Sequence, residues 1–155
     1  MEVTNMATLK KLDVLKQSVL TKILASQTIT SLLNGGTPPA DPQSLLYQSV
    51  YPYLYAPEGP DATPVSFLCC DVTSPRSVNK TVLEVNITLL VYAHFSKIKL
   101  ADGDLVDKIA EAADELLQGC GIGSGKLELL SLVPYSPEKN FFGKMLTYKT
   151  TILNG

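Results

Sequence analysis

The strongest pattern in the chain lies between residues 82 and 95, where every odd position from Leu83 onward is apolar. The even positions include Glu84, Asn86, Thr88 and His94. A period of two predicts a β-strand with one face on a core and the other face exposed or paired with a partner. We expect the odd face to pack on helices in an antiparallel sheet, because strands of a buried parallel sheet are apolar on both faces.

Three other segments have the composition of strands, over residues 65–73, 126–133 and 141–153. Turns rich in proline and serine, at residues 73–77 and 134–137, separate these segments from their neighbours. Together with the strand at 82–95, the segments predict two hairpins in a mainly antiparallel, four-stranded sheet.

Helical periodicity precedes each hairpin. Apolar residues recur every three or four positions from Leu9 to Leu24, which predicts an amphipathic helix. Residues 28–33 add a short helical turn. The same spacing predicts a helix over residues 104–118, with Asp102 as its N-cap and Gly119 at its end.

These elements predict a single α+β domain over residues 1–155, in the order helix, long loop, hairpin, helix, hairpin, with helices flanking the sheet. The chain has 45% hydrophobic and 18% charged residues, which excludes an intrinsically disordered chain. Its formal net charge of -2 leaves no basic surplus for a phosphate backbone, so we expect no sequence-specific nucleic-acid binding. We also expect no membrane span and no secretory signal, because no run reaches ~18 apolar residues and the first eleven residues contain no apolar core.

The loop at residues 35–64 differs from the rest of the chain. It contains seven of the ten prolines and four of the seven tyrosines. Aromatic side chains with few charges are typical of interface centres. We therefore predict an interface with another protein at Tyr51, Pro52, Tyr53 and Tyr55. The alternative is that these tyrosines cover the core of their own domain.

The glycines at positions 119, 121, 123 and 125 precede Lys126, as in a phosphate-binding loop. The P-loop spacing fails, because Cys120 stands where the first glycine belongs and Leu127 where serine or threonine must follow the lysine. Dinucleotide loops also lead from a strand into a helix, whereas here a predicted helix comes first. We predict a flexible helix-to-strand connection.

Other candidate residues carry equally little chemistry. Cys69 and Cys70 are adjacent in a strand, so they point to opposite faces and cannot hold one metal ion together. His94 and Cys120 lie in no catalytic motif, and we expect His94 to be structural. The acids of the predicted second helix form a solvated face, or alternatively a surface that lines a pore or steers a partner; they are Asp104, Asp107, Glu111, Asp114 and Glu115. We expect no catalytic, cofactor-binding or metal-binding residue, and hence no enzyme.

Four stretches of the sequence carry a resemblance to a known family. They are the opening helix from Leu9 to Leu24, Val50-Tyr51-Pro52-Tyr53 with Pro57-Glu58, the strand Leu83-Glu84-Val85-Asn86-Ile87 running to His94, and Lys126-Leu127-Glu128-Leu129 with the closing strand from Asn140 to Tyr148. Together they resemble the small neck proteins of long-tailed bacteriophages, specifically the tail-terminator or tail-to-head joining proteins.

This resemblance implies an α+β subunit that forms a ring, a hexamer as in the family, in the phage virion. The ring would cap the tail tube, end tail polymerisation and meet the head connector or stopper, with no cofactor. Assembly would take place in the cytoplasm of the bacterial host. Two alternatives stay open: another neck component, such as a stopper or head-tail adaptor, and a small cytosolic enzyme or ligand-binding domain.

Overall fold

The computed structural model describes residues 8–57, 66–77, 82–122 and 125–153. Five strands form the main sheet: β1 (Val50–Tyr51), β2 (Ser66–Ser77), β3 (Val82–His94), β8 (Glu128–Tyr135) and β9 (Phe141–Leu153). Their order across the sheet is β1-β2-β3-β9-β8. All neighbours are antiparallel except β1 and β2, which run parallel.

Helices cover one face of this sheet. The helices are α1 (Thr8–Ala25), α2 (Gln27–Leu33), α3 (Phe95–Ile98) and α4 (Leu105–Leu117). The apolar sides of α1, α2 and α4 share one buried cluster with the strands, which we call the helix-side core. None of the helices in the described ranges is long and apolar enough to cross a bilayer.

Short elements connect these units. A 3-10 helix at Pro42–Leu45 precedes β1. Two small hairpins flank α4, one formed by β4 (Lys99–Leu100) with β5 (Gly103–Asp104) and one by β6 (Gly121–Ile122) with β7 (Gly125–Lys126).

The alternation in β3 is confirmed as the organising feature of the fold. Its odd residues from Leu83 to Ala93 all lie in the helix-side core, and Ile87 is fully buried. Phe95 is the exception: the strand ends at His94 and Phe95 begins α3, so its side chain is 56% exposed instead of buried.

The predicted four-strand sheet needs correction, because β1 adds a fifth strand. Val50 and Tyr51 pair in parallel with Leu68 and Cys69. A two-residue strand is too short to show a period, and the surrounding prolines concealed it. The strand predicted at 65–73 corresponds to β2, and residue 65 lies outside the described residues. β2 continues to Ser77 with an irregular register between Thr73 and Arg76, so the turn predicted at 73–77 is wrong.

The prediction that Asp102 is the N-cap of α4 is wrong. Asp104 caps the helix, since its Oδ1 accepts a hydrogen bond of 3.0 Å from the backbone N–H of Asp107. Asp102 instead pairs with Lys108 at 3.0 Å, and this hydrogen bond lowers the pKa of the Asp102 carboxyl. Gly119 follows the helix with φ +75°, as a helix end requires.

Candidate interaction surfaces

An aromatic cluster occupies the sheet face opposite the helices. Its buried members are Tyr51, Phe67, Cys69, Leu90, Tyr92 and Phe141. The rings of Phe67 and Tyr92 stack with centroids 5.1 Å apart. The part of this face that the cluster occupies is therefore a second, smaller hydrophobic core.

Residues 52–57 lie over that cluster. The rings of Tyr51 and Tyr55 stack in parallel, with centroids 4.0 Å apart and planes inclined by 4°. The hydroxyl of Tyr92 donates a hydrogen bond of 2.5 Å to the backbone carbonyl of Tyr55. On the other side, the ammonium group of Lys16 donates to the carbonyl of Pro52 at 2.7 Å. These contacts fix the segment against its own domain.

The four residues of the predicted interface therefore occupy different environments. Tyr51 is 8% exposed, and burial is the main cause that raises the pKa of its hydroxyl to about 12. Pro52 and Tyr55 are half-buried. Tyr53 is 44% exposed. The structure brings the four together, and the interface itself stays a prediction.

Two further residues join Tyr53 at the surface. Tyr47 is 57% exposed with its ring centroid 6.3 Å from that of Tyr53, and Leu54 is 48% exposed. We call Tyr47, Tyr53 and Leu54 the tyrosine patch. Tyr47 has φ +63°, a left-handed conformation that is uncommon for tyrosine. No sequence pattern indicates that conformation, which is why sequence reasoning left Tyr47 out.

Strand β8 forms a second apolar surface, which sequence reasoning missed. It lies at the edge of the sheet and pairs with β9 alone among the described strands. Four of its apolar side chains, distributed over both faces of the sheet at this edge, are 36–50% exposed, and we call them the edge surface: Leu129, Leu130, Leu132 and Val133. Apolar residues at both odd and even positions, with no charge between Glu128 and Glu138, were the available signal.

The cysteines lie as the strand period predicts. Cys70 belongs to the helix-side core and Cys69 to the aromatic cluster, and both are fully buried. Burial raises the pKa of Cys69 to about 11 and that of Cys70 to about 12, so their reactive thiolate forms are disfavoured at neutral pH. Within the described ranges, no group of three His, Cys, Asp or Glu side chains could hold a metal ion.

His94 has a structural position. It is the N-cap of α3, and its Nδ1 accepts a hydrogen bond from the backbone N–H of Ser96 at 3.3 Å. Its ring contacts Phe95 and Phe141 on the aromatic side of the sheet. Cys120 packs against the helix-side core instead. The structure does not bring His94 and Cys120 together as a nucleophile and its base.

The acids of α4 have mixed roles rather than forming one solvated face. Asp104 caps the helix, and Asp107 forms an ion pair with Lys144. Asp114 accepts a hydrogen bond of 2.6 Å from the hydroxyl of Tyr148, whose pKa is raised, mainly by burial. The two remaining acids, Glu111 and Glu115, are exposed.

The glycine-rich segment leads from α4 into a small hairpin. Gly121 pairs with Lys126, and Ile122 with Gly125, while Gly123 lies outside the described residues. A strand, β8, follows this hairpin. The order of elements is thus the reverse of a phosphate-binding loop, as predicted.

A chain solved in the virion of a native gene transfer agent (GTA) particle has a similar fold. The two chains superpose with a TM-score of 0.58 and 16% sequence identity, over 89% of this chain and 93% of that chain. At this identity the likeness is one of fold. No curated protein matches the chain.

A family match extends from the end of α1 to the last strand of the sheet. The YomW family matches residues 26–150, which include β1, β2, β3 and β8, β9 as far as residue 150, and the described helices α2, α3 and α4. The protein belongs to the YomW family.

Proposed function

We propose that the protein is a structural protein of a phage or phage-like virion, located in the neck. There it forms a ring, a hexamer by analogy with tail terminators, that caps the tail tube, ends tail polymerisation and joins the tail to the head. The observation that carries the proposal is the shared fold with a chain of the GTA particle over 89% of this chain. The resemblance of four sequence stretches to tail-terminator proteins supports the same role.

The surfaces of the molecule fit a protein that acts by contact. The tyrosine patch and the edge surface are apolar, exposed and uncharged, as the centres of protein interfaces are. We propose the tail-tube protein and the head connector or stopper as partners, in addition to further copies of the chain. The proposal includes neither a membrane partner nor a sequence-specific nucleic acid, and it assigns no enzymatic step and no cofactor.

Electron microscopy of purified particles tests this location. Antibody-coupled gold against the protein should label intact particles at the junction of head and tail, one cluster per particle. Particles from a strain that lacks the gene serve as the control for nonspecific label. Label along the whole tail, on the head shell, or absent from particles would contradict a neck protein.

A further inference from the structure

The two exposed apolar surfaces lie at opposite edges of one sheet. The edge surface is on β8, and the tyrosine patch flanks β1 at the other end of the strand order. Four strand spacings of roughly 4.8 Å separate the two edge strands by about 19 Å. One copy of the chain thus carries two different apolar surfaces on opposite sides.

The edge surface has little of the usual protection of an edge strand. Natural edge strands are blunted by charged side chains, especially lysine, by proline, by β-bulges, or by a covering element. β8 has no charge between Glu128 and Glu138, and its protection consists of Pro134 and an irregular register between Leu129 and Ser131, where the backbone N–H of Leu129 donates to the side chain of Gln118. Its outward backbone groups have no strand partner within the described part of the chain. A strand with these properties is a favourable site for contact with another chain.

The tyrosine patch has complementary chemistry. No charged residue occurs between Asp41 and Glu58. The ammonium group of Lys16 on the Pro52 carbonyl is already paired with Asp71 at 3.1 Å. An apolar surface can therefore cover this patch without burying an unpaired charge. Tyrosine offers a large contact area, and its hydroxyl can donate to a carbonyl oxygen such as those on the outer side of an edge strand. In the tyrosine patch, the residues with a hydroxyl group are Tyr47 and Tyr53, and both are exposed.

Strand β1 itself is not open for pairing along its length. The carbonyl of Val50 already accepts a hydrogen bond of 2.8 Å from the backbone N–H of Tyr47. A second copy therefore cannot extend the sheet there as a continuous ladder. Contact at this edge has to be made by side chains, and those exposed there include Gln48 and the three residues of the tyrosine patch.

We infer that the edge surface of one copy packs against the tyrosine patch of the next copy, and that repetition of this contact builds the ring. Contact between two different surfaces is heterologous, and heterologous contacts close into rings when the rotation between copies permits. Each surface is covered by a second copy of this chain, because both surfaces are apolar and carry no charged residue of their own, and because they lie at opposite edges of the same sheet. This inference rests on the proposed ring and names the surfaces that form it.

Three single-lysine variants test the contact, since each adds one charge at an exposed apolar position. Leu132→Lys changes the edge surface and Tyr53→Lys changes the tyrosine patch. Val14→Lys on α1 is the matched control, because Val14 is 53% exposed, compared with 50% for Leu132 and 44% for Tyr53. Native mass spectrometry of the purified full chain, over a range of concentrations, gives the masses of the assemblies.

We expect the wild type and Val14→Lys to form assemblies larger than a dimer, and each interface variant alone to remain monomeric. A mixture of Leu132→Lys and Tyr53→Lys should form a one-to-one heterodimer and nothing larger. In that pair the intact edge surface of one variant meets the intact patch of the other. Circular dichroism of each variant verifies that it is folded.

Other outcomes would overturn the contact. A wild type that stops at a dimer, lost only with Leu132→Lys, would mean that two β8 strands pair with each other. A mixture of variants that stays monomeric, or a wild type that is monomeric at all concentrations, would also refute it. The proposed function fails separately: rings that form as described but leave tail length unchanged would refute the neck role and not the contact.

Discussion

Replacing Tyr51 and Tyr53 one at a time by serine should separate folding from assembly. Tyr51 is 8% exposed and its ring contacts the rings of Tyr47, Tyr53, Tyr55 and Phe67. Truncation of a buried aromatic residue typically costs ~3–5 kcal/mol. Because Tyr51 lies at the sheet edge, where neighbours can move into the space, we expect a loss of about 3 kcal/mol for Tyr51→Ser.

The same change at Tyr53 should leave stability nearly unchanged. Tyr53 is 44% exposed, and surface substitutions usually stay within about 0.5 kcal/mol. Its effect should appear in assembly, where loss of an exposed aromatic anchor can cost ~2 kcal/mol or more of binding free energy.

Urea unfolding followed by circular dichroism measures the first effect, and native mass spectrometry measures the second. We expect a lower unfolding midpoint for Tyr51→Ser and a wild-type midpoint for Tyr53→Ser, with smaller assemblies for the latter. Equal midpoints for the two variants would refute the reasoning, because the burial of Tyr51 would then contribute nothing that the exposed Tyr53 lacks.

Three further predictions concern the core. Ile87→Asp should leave the chain unfolded or aggregated, since an unpaired buried charge costs several kcal/mol; a soluble variant with a wild-type melting curve would refute the register of β3. Gly143→Ala should destabilise by at least ~1–3 kcal/mol in a urea titration, because the added Cβ would lie 2.0 Å from the carbonyl oxygen of Val91; an unchanged midpoint would contradict that close approach. Burial raises the pKa values of Cys69 and Cys70 to about 11 and about 12, so the unfolded chain loses their protons first, from pH ~8.5 upward. The urea concentration at the unfolding midpoint should therefore fall as the pH rises above that value, and it should fall less in the double variant Cys69→Ala, Cys70→Ala. An equal fall in the double variant would show that these thiols are not the cause.

The long elements could be predicted from the sequence because their periods are clear. α1, α4 and the first half of β3 each bury one face, and burial of that face imposes a regular pattern on the residues; the second half of β3 buries Leu90 and Tyr92 on the other face as well. Cys69 and Cys70 followed from the same rule, since neighbours in a strand point to opposite faces. In these elements, local pattern and tertiary packing agree.

The differences arise where the conformation depends on contacts distant in sequence. Strand β1 exists because Val50 and Tyr51 meet Leu68 and Cys69, and two residues alone show no period. Asp104 rather than Asp102 caps α4, a shift of two residues within a run of acids where either could serve. Tyr51 and Tyr53 have the same chemistry and differ in burial because Tyr51 lies in β1 within the aromatic cluster, beneath the ring of Tyr55, whereas Tyr53 lies outside that cluster.

For the two apolar surfaces as well, the sequence predicted one part and the tertiary structure determined the rest. The composition of residues 35–64 indicated an interface, and the structure separates its buried tyrosines from the exposed ones. The edge surface was assigned to a strand, and its position at the sheet edge depends on the strand order. Which strand lies outermost is a property of the topology, and no local pattern in β8 specifies it.

The length of tails assembled with and without the protein tests the neck role most directly. Tails from a strain that lacks the gene, from the same strain with the gene restored, and from the wild type are measured by electron microscopy. The account predicts overlong, uncapped tubes without attached heads when the protein is absent, and wild-type tails when the gene is restored. Tails of wild-type length joined normally to heads in its absence would contradict the account.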